Sequence, residues 1–554
     1  MSWTRGQKVG VGSLVIGLVW WGVWMLMPSL GPEPLPIKSS PALLEGSLPE
    51  TCEVQARVIQ DVSLINPAEV SVVCRPRGGE NWARGEADIA AALALAQEAD
   101  LSVSISAQRH SQGGHISAPG ALLLDMTEYR GVRLSEEDRA ARRVHVLSGT
   151  TWAEVQEIAN GHGLHPEAYR QAMATRGPDG RFSAPHSLAV AVQQSSNVFS
   201  VGGSLSVNCH GRDKDLGPII TSVQSFRIML ADGRVVRASR DDALGSEGAE
   251  LFGLAIGGFG LFGVILDVTL DLRDNVMVEK RVESLDYRDY LPTLRKSVLP
   301  DPDIMLHYGR LNIDELDKEG YLREMYIANF KTTGKIERVE GLSTEKNARL
   351  TGALMELGEW SDLAKRLRWK AILRHLDVPG KVEGMTLNNA MRPQVAFLFE
   401  RRGKRTVNIL QEYFVPLEGY VDFIDGLRAV ALEEGINLQN VTLRFVAHND
   451  RATLSYAPKD SIAVVLYINV GLKDGALSHA ERWTQRLVDL SLSVKGRYYL
   501  AYQRWPTRAQ LERSYPRIDS FLKAKASFDP EARFSNQFFT HYFSADAPKA
   551  AEGE

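Results

Sequence analysis

Ser102-Val103-Ser104-Ile105-Ser106 runs straight into Ala107-Gln108-Arg109-His110-Ser111-Gln112-Gly113-Gly114-His115, and Ala121-Leu122-Leu123-Leu124-Asp125 follows six residues later. The first five residues alternate in polarity and the last five are largely apolar, which reads as two strands joined by a loop rich in Gly and His. A loop that leaves a strand directly can present successive backbone N–H groups as a nest for a phosphate. Upstream, residues 86–99 (EADIAAALALAQEA) have the composition and periodicity of a helix, so the unit begins in the βα manner.

Downstream, a strand at 144–148 leads into a helix at about 152–160, where Thr151 and Glu154 have capping-box spacing. A long loop follows, and then Phe199-Ser200-Val201-Gly202-Gly203-Ser204-Leu205-Ser206-Val207-Asn208-Cys209-His210-Gly211, whose small side chains permit close backbone approach to a flat ring. Strands at 222–230 and 234–238 flank Asp232-Gly233, a strong hairpin signal. A helix at about 248–256 and a strand at 264–272 close one α+β unit of roughly 210 residues. Gly258-Phe259-Gly260-Leu261-Phe262-Gly263 matches the dinucleotide fingerprint G-x-G-x-x-G, but that motif needs a strand before it and a helix after it. Here the order is reversed, which argues against a Rossmann domain.

At these residues the chain resembles the FAD-binding, vanillyl-alcohol-oxidase-type (PCMH-type) superfamily, with alditol oxidase, sugar-lactone oxidases, decaprenylphosphoryl-ribose oxidase and cytokinin dehydrogenase among its members. The resemblance runs in order from about 65 to 275: the R-H-S-Q-G-G loop, LLLDMTEYRGV, the SVGG…HG segment, ADGRVV, and ELFGLAIGGFGLFGVI. It continues through Leu443-Arg444-Phe445-Val446, Asp450, Ser455-Tyr456-Ala457 and the ending Phe528 to Asn536. It implies an α+β fold with a two-subdomain FAD-binding domain and a substrate domain. It also implies hydride transfer from an alcohol carbon to flavin N5, with amine oxidation or a non-catalytic flavin-binding role at a membrane as alternatives.

The resemblance assigns residues by position. Ser106, Ala107, Gln108, Arg109, His110, Ser111, Gln112, Gly113 and Gly114, with Ser195 and Ser196, would cradle the diphosphate. Gly202, Gly203, Asn208, Cys209, His210 and Gly211 would line the isoalloxazine, Gly263, Val264 and Ile265 the adenine side, and Asn536 closes the set. In covalent relatives the histidine at the position of His110 is joined to the flavin; the alternatives are a noncovalent FAD beside His110, or attachment at His115. Arg444 is the candidate positive group. Tyr502 and Gln503 stand where relatives carry a lysine, and Thr442 stands where alditol oxidase has an acidic residue, so the base is open between Tyr502 and His448. A phenol of pKa near 10 would need strong perturbation to serve.

Beyond 276 the pattern changes. Strands at about 323–331, 394–400, 406–414, 440–447 and 461–470 alternate with helices at 416–434, 478–493 and 507–525, as in an antiparallel sheet covered by helices. A charged helical stretch at about 335–375 reads as a lid, a partner surface or a solvated edge. The domains expected are an N-terminal anchor (1–28), a linker (29–64), the FAD-binding domain (65–275) and a substrate or cap domain (276–545).

The anchor rests on Val9–Met27, 19 uncharged residues, long enough to span a bilayer as a helix. Arg5 and Lys8 before it place the N-terminus in the cytoplasm and the rest outside; a cleaved signal peptide is the rival. An outward domain permits a Cys52–Cys74 disulfide, against buried free thiols as the alternative, with Cys209 as third cysteine. In 554 residues the formal charge is −4 and the pI about 6.4, so no sequence-wide field recruits nucleic acid. His110, His115 and His210 have no zinc-site spacing, so no metal is expected. The expected partners are a small-molecule alcohol, an electron acceptor (oxygen, a quinone or a redox protein) and a membrane.

Overall fold

The computed structural model describes residues 48–162, 181–182, 187–335, 339–343, 356–376, 383–392, 405–473 and 475–544. The anchor segment Val9–Met27, the expected strand at 394–400 and parts of the charged insertion lie outside the described residues. No helix among the described residues is long and apolar enough to cross a membrane.

The first sheet has the order β1-β2-β4-β3, with β1 Cys52–Ile59, β2 Ala68–Cys74, β3 Val103–Ser106 and β4 Leu122–Asp125. β2, β4 and β3 are parallel, and α1 (Trp82–Glu98) makes the crossover. Its buried stripe Gly85, Asp88, Ile89, Ala92, Leu93 and Ala96 follows the helical period that faces a sheet. β1 lies inside the stretch read as linker, and it pairs with β2 so that Cys52 faces Cys74, to which it is disulfide-bonded. The charged residues Glu53 and Arg57 had masked its alternation.

The second sheet, order β9-β8-β10-β6-β5, contains β5 Val132–Arg133, β6 Arg143–Leu147, β7 Leu188–Val190 (paired with β10), β8 Val223–Met229, β9 Val235–Ser239 and β10 Val264–Asp274. The Asp232-Gly233 hairpin joins β8 to β9, with Val235 opposite Met229. α2 (Trp152–Glu157) carries the expected capping box, and Trp152 is fully buried. α3 (Val201–Ser206) and α4 (Glu247–Ala255) complete the unit. α4 precedes the Gly258–Gly263 run and β10 follows it, the reverse of a Rossmann turn.

After Asn275 the chain enters an eight-stranded antiparallel sheet. Its order is β14-β11-β13-β12-β16-β17-β15-β18, with β11 Val276–Asp286, β12 Ile304–Leu311, β13 Glu324–Lys335, β14 Glu383–Thr386, β15 Thr406–Pro416, β16 Leu438–Val446, β17 Ser461–Gly471 and β18 Arg497–Tyr498. α5 (Asp362–Leu376), α6 (Tyr420–Glu434) and α7 (Ala476–Ser493) pack around it. The pleat sorts the side chains of β15. Gln411 and Tyr413 meet the helices, at Thr484 (2.6 Å) and Phe423 (5.4 Å between rings), so Leu410 and Glu412 face the other way. The helix expected over 507–525 is two, Arg508–Ser514 and Ile518–Phe528, because Pro516 lacks an N–H and pushes Tyr515 out of helical geometry. The C-terminal segment returns to the first sheet, where Arg533 O accepts from Val103 N at 2.6 Å and Val103 O from Ser535 N at 3.0 Å.

Candidate functional site

A cavity of about 470 Å³ lies between the loop after β3, the 195–210 segment, the Gly260–Ile265 turn and the inner face of the eight-stranded sheet. Of the residues singled out from sequence, Ser106 to Ser111, His115, Ser195, Ser196, Gly202, Gly203, Cys209, His210, Gly263, Val264, Ile265, Thr442, Arg444 and Tyr502 line it.

The loop after β3 is bent into the cavity by left-handed backbone at Arg109 (φ 58) and Gly114 (φ 69). Arg109 is fixed by Asp125 at 2.8 Å, and its carbonyl accepts from Val62 N. Gly202 is where the second segment needs glycine: a Cβ there would sit 2.6 Å from Ser148 Cβ, and Gly202 N donates to Ser148 O at 2.7 Å. Two buried polar atoms of cavity-lining residues on this side, Ser106 Oγ and Gln108 Nε2, have no hydrogen-bond partner among the described residues. Buried polar atoms are seldom left so, which marks them as groups awaiting a ligand.

The two histidines of the loop part company. His110 is half-buried against the edge of Phe199 at 4.8 Å, and burial lowers its imidazole to about 4. His115 is only 6% exposed and stacks between Phe259 and Phe538, each 5.0 Å away; burial and nearby Arg504 bring its imidazole down to about 3.

Seven expected residues stand behind the cavity wall. Gln112 links the loop to the sheet edge, donating from N to Ala501 O and accepting at Oε1 from Leu410 N. Gly113 lies under the Tyr502 carbonyl, Gly114 N donates to Asp61 Oδ2 at 3.2 Å, and Gly211 abuts the Gln193 carbonyl. Asn208 accepts from Ile220 N at Oδ1 and from the Tyr456 hydroxyl at its carbonyl. Asn536 caps the last helix through Phe539 N and donates to Phe259 O. Gln503, expected at the chemistry, belongs instead to a buried polar knot: it accepts from Asn66 at 3.2 Å, and Asn66 also donates to Asp61 at 2.9 Å. His448, the other candidate base, is exposed beside Asp460.

The sheet supplies the far wall. Arg310, Thr442, Val465 and Glu412 are successive cross-strand partners on β12, β16, β17 and β15, one row across four strands. All four line the cavity, with Arg444 two residues from Thr442 and so on the same face. Lys365, Arg368, Trp369 and Ile372 of α5, spaced as one helical face, cover the cavity from above. Trp369 stacks on Tyr326 at 5.7 Å and donates to Glu324 at 2.7 Å. Part of the charged insertion is thus a lid.

Glu412, which the sequence reading missed, is the one buried carboxylate among the described residues lining this cavity. Oε1 is 2.5 Å from His210 Nε2, and Oε2 accepts from the Tyr502 hydroxyl at 3.2 Å. Burial raises its pKa, but His210, Arg444 and the Tyr502 hydrogen bond outweigh burial and hold it below the ordinary carboxylate value. Tyr502 moves the opposite way: burial and the neighbouring carboxylate push its phenol well above 10. It is therefore a donor to Glu412, not a base. Arg444 donates to Ser195 Oγ at 2.6 Å.

Two known families match parts of this chain. Residues 82–175 match the FAD binding domain family, and residues 354–542 match the D-arabinono-1,4-lactone oxidase family. Alditol oxidase of Streptomyces sp. (strain IKD472 / FERM P-14339) is 29% identical over 138 residues, 25% of this chain and 26% of that protein. Cytokinin dehydrogenase 2 of Oryza sativa subsp. japonica is 27% identical over 194 residues, 34% of this chain and 29% of that protein. Decaprenylphosphoryl-beta-D-ribose oxidase of Mycolicibacterium smegmatis (strain ATCC 700084 / mc(2)155) is 22% identical over 468 residues, 81% of this chain and 91% of that protein. The chain thus spans about a quarter of the first two relatives.

The residues present suit a flavin dinucleotide. The loop 106–111 and the glycines at 202 and 203 give a backbone-rich wall, and the unpartnered Ser106 Oγ and Gln108 Nε2 stand ready for polar atoms of the ligand.

Proposed function

We propose that this chain, a FAD-dependent member of the vanillyl-alcohol-oxidase-type (PCMH-type) oxidoreductase superfamily, oxidises an alcohol carbon of a polyol, sugar, lactone or lipid-linked sugar. FAD, when bound, supplies the acceptor for the hydride. The carrying observation is Glu412, ionised between His210 and Tyr502 in the same cavity as the Ser106–Ser111 loop. A carboxylate has about four acceptor positions, so two remain for a substrate hydroxyl. Glu412 takes the hydroxyl proton as the C–H bond gives up hydrogen with both electrons, leaving a carbonyl. Arg444 is the positive group that stabilises the developing alkoxide, and Tyr502 and His210 hold Glu412 in place. The α5 lid keeps bulk water from the reacting carbon.

Anaerobic mixing of the yellow protein with polyols, aldoses and aldonolactones is expected to bleach the flavin absorption with at least one class. Bleaching by secondary amines alone would favour amine oxidation instead, the reading suggested by the cytokinin dehydrogenase similarity. Oxygen, a quinone or a redox protein then takes the electrons.

We further propose that the flavin is attached through His110. Its depressed pKa keeps the imidazole neutral, the nucleophilic form, at physiological pH. Flavin should remain with the acid-precipitated native chain and appear in the supernatant from His110→Ala; colour that stays with the variant pellet places the attachment elsewhere. The Cys52–Cys74 disulfide supports an extracytoplasmic site for the domain, with Val9–Met27 as anchor. Protease added to intact cells tests that placement.

A further inference from the structure

Several arginines of the fold are neutralised by a carboxylate: Arg273 pairs with Asp213, Arg227 with Asp267, Arg77 with Asp88 and Arg366 with Asp314. The cavity wall formed by β12 is different. Arg310 and Arg212 both line the cavity, and among the described residues neither has a carboxylate within 4.0 Å. Arg310 lies beside Tyr326, and its Nε is buried with no hydrogen-bond partner among the described residues. Arg212 donates to Ala390 O at 2.5 Å and lies over the rings of Tyr308 (5.8 Å) and Phe330 (5.5 Å). Lys280 stands near Tyr308 without lining the cavity. Lys365 of the lid is not free, being held by Glu315 at 3.0 Å and Asp362 at 3.3 Å.

Unpaired cations enclosed together repel one another and lose hydration, a cost that an entering anion relieves. The neighbouring groups already register the field. Burial raises the Tyr308 phenol, yet Lys280, Arg310 and Arg212 bring it below its ordinary value. Burial lowers the Arg212 guanidinium to about 10, with Arg444 and Arg310 adding to the effect and Tyr308 opposing it. The row Arg310–Thr442–Val465–Glu412 sets the spacing: three strand separations of about 4.8 Å put Arg310 about 14 Å from the proton acceptor.

We propose that the substrate is an anionic polyhydroxy compound, a sugar acid or a sugar phosphate, whose carboxylate or phosphate is bound by Arg310 and Arg212 with the Tyr308 hydroxyl. The proposal rests on the alcohol-oxidation reading and narrows its substrate class. Lys280 is a positioning residue: it stands near Tyr308 and adds positive charge without lining the cavity. The reacting alcohol then lies toward Glu412, and the anion fixes which carbon is presented.

The test uses the FAD-loaded chain and three probes of similar size: D-glucitol (neutral), D-gluconate (carboxylate) and D-glucose 6-phosphate (phosphate). Calorimetric titration reads binding independently of turnover. We expect at least one anionic probe to bind tenfold or more tighter than glucitol, and the tighter of the two to name the anion. Arg310→Gln should remove roughly tenfold to hundredfold of that preference, the scale of a charge-assisted hydrogen bond. It should do so with flavin content and glucitol binding unchanged, and Arg310→Lys should restore part of it. If Arg310→Gln loses flavin, Lys280→Gln should weaken the same preference by a smaller factor. Equal binding of all three probes by the native chain, or an anion preference untouched by both variants, overturns the proposal. Flavin bleaching by glucitol in that case would leave the alcohol-oxidation reading standing. Tight anion binding with no bleaching by any alcohol would sink that reading instead.

Discussion

The loop after β3 and the inner face of the eight-stranded sheet line one cavity by opposite means. The loop contributes backbone, made available by left-handed residues at 109 and 114, and the glycines at 202 and 203 of α3 extend that wall. The sheet contributes side-chain tips, Arg310, Thr442, Arg444 and Glu412, carried on regular strands whose own backbone groups are already paired. A wall of backbone recognises a ligand that does not change; a wall of side chains can be altered one residue at a time. The difference fits the proposed roles, cofactor binding for the first region and substrate choice for the second.

That division is broken most directly at Glu412. Glu412→Gln keeps the shape of the residue and removes its capacity to take a proton. Stopped-flow measurement of anaerobic flavin reduction should find a rate lower by about 10²–10⁴, with the flavin content of the native chain. Because the Glu412 pKa is held below 4.5, the native rate should stay level from neutral pH into the ordinary carboxylate range and fall only below it. A rate that instead falls as pH drops through 7 assigns the proton to another group.

The opposite variant attacks the backbone wall. A Cβ on residue 202 meets Ser148 Cβ at 2.6 Å, where both chains are packed, so Gly202→Ala must displace one of them. Overpacking of this kind costs about 1–3 kcal/mol, and here the displaced segment lines the cavity. Purified Gly202→Ala should carry less FAD per chain and melt earlier. Substrate affinity of the fraction that does hold FAD should be nearly native. A loss of substrate affinity at full FAD occupancy would erase the division of labour.

The two walls also differed in how legible they were before any fold was known. The loop, the hairpin at Asp232-Gly233 and the reversed glycine run depend on neighbours in sequence, and local pattern was enough to place them. Arg444 was found because its strand alternates within nine residues. Glu412 was not, since QEYFVP reads as an ordinary strand and its partners His210 and Tyr502 are 202 and 90 residues away. Arg310 shares that difficulty: the row that defines its role exists only across strands. Gln503 failed for the complementary reason. The stretch after β18 is turn and bend, with no pleat to fix side-chain direction, and there Tyr502 reaches Glu412 while Gln503 turns to Asn66.

The smallest effect separates the two histidines of one loop. His110 and His115 lie five residues apart on either side of Gly113-Gly114; one lies edge-on to Phe199 and the other is packed between two phenylalanines. A histidine stacked in this way contributes as a neutral ring. Its folded pKa is lowered from 6.5 to about 3, so the unfolded chain binds the extra proton through that window. Stability is therefore full above pH 6.5 and drains away as pH falls toward 3. His115→Phe keeps the stack and removes the proton. Its urea midpoint should match the native chain at pH 8 and exceed it increasingly at pH 6 and 5, by at most about 1.4 kcal/mol per pH unit. Flavin that survives acid precipitation should be unaffected, because the ring is held in its stack between Phe259 and Phe538. If His115→Phe instead releases the flavin, the attachment passes to His115.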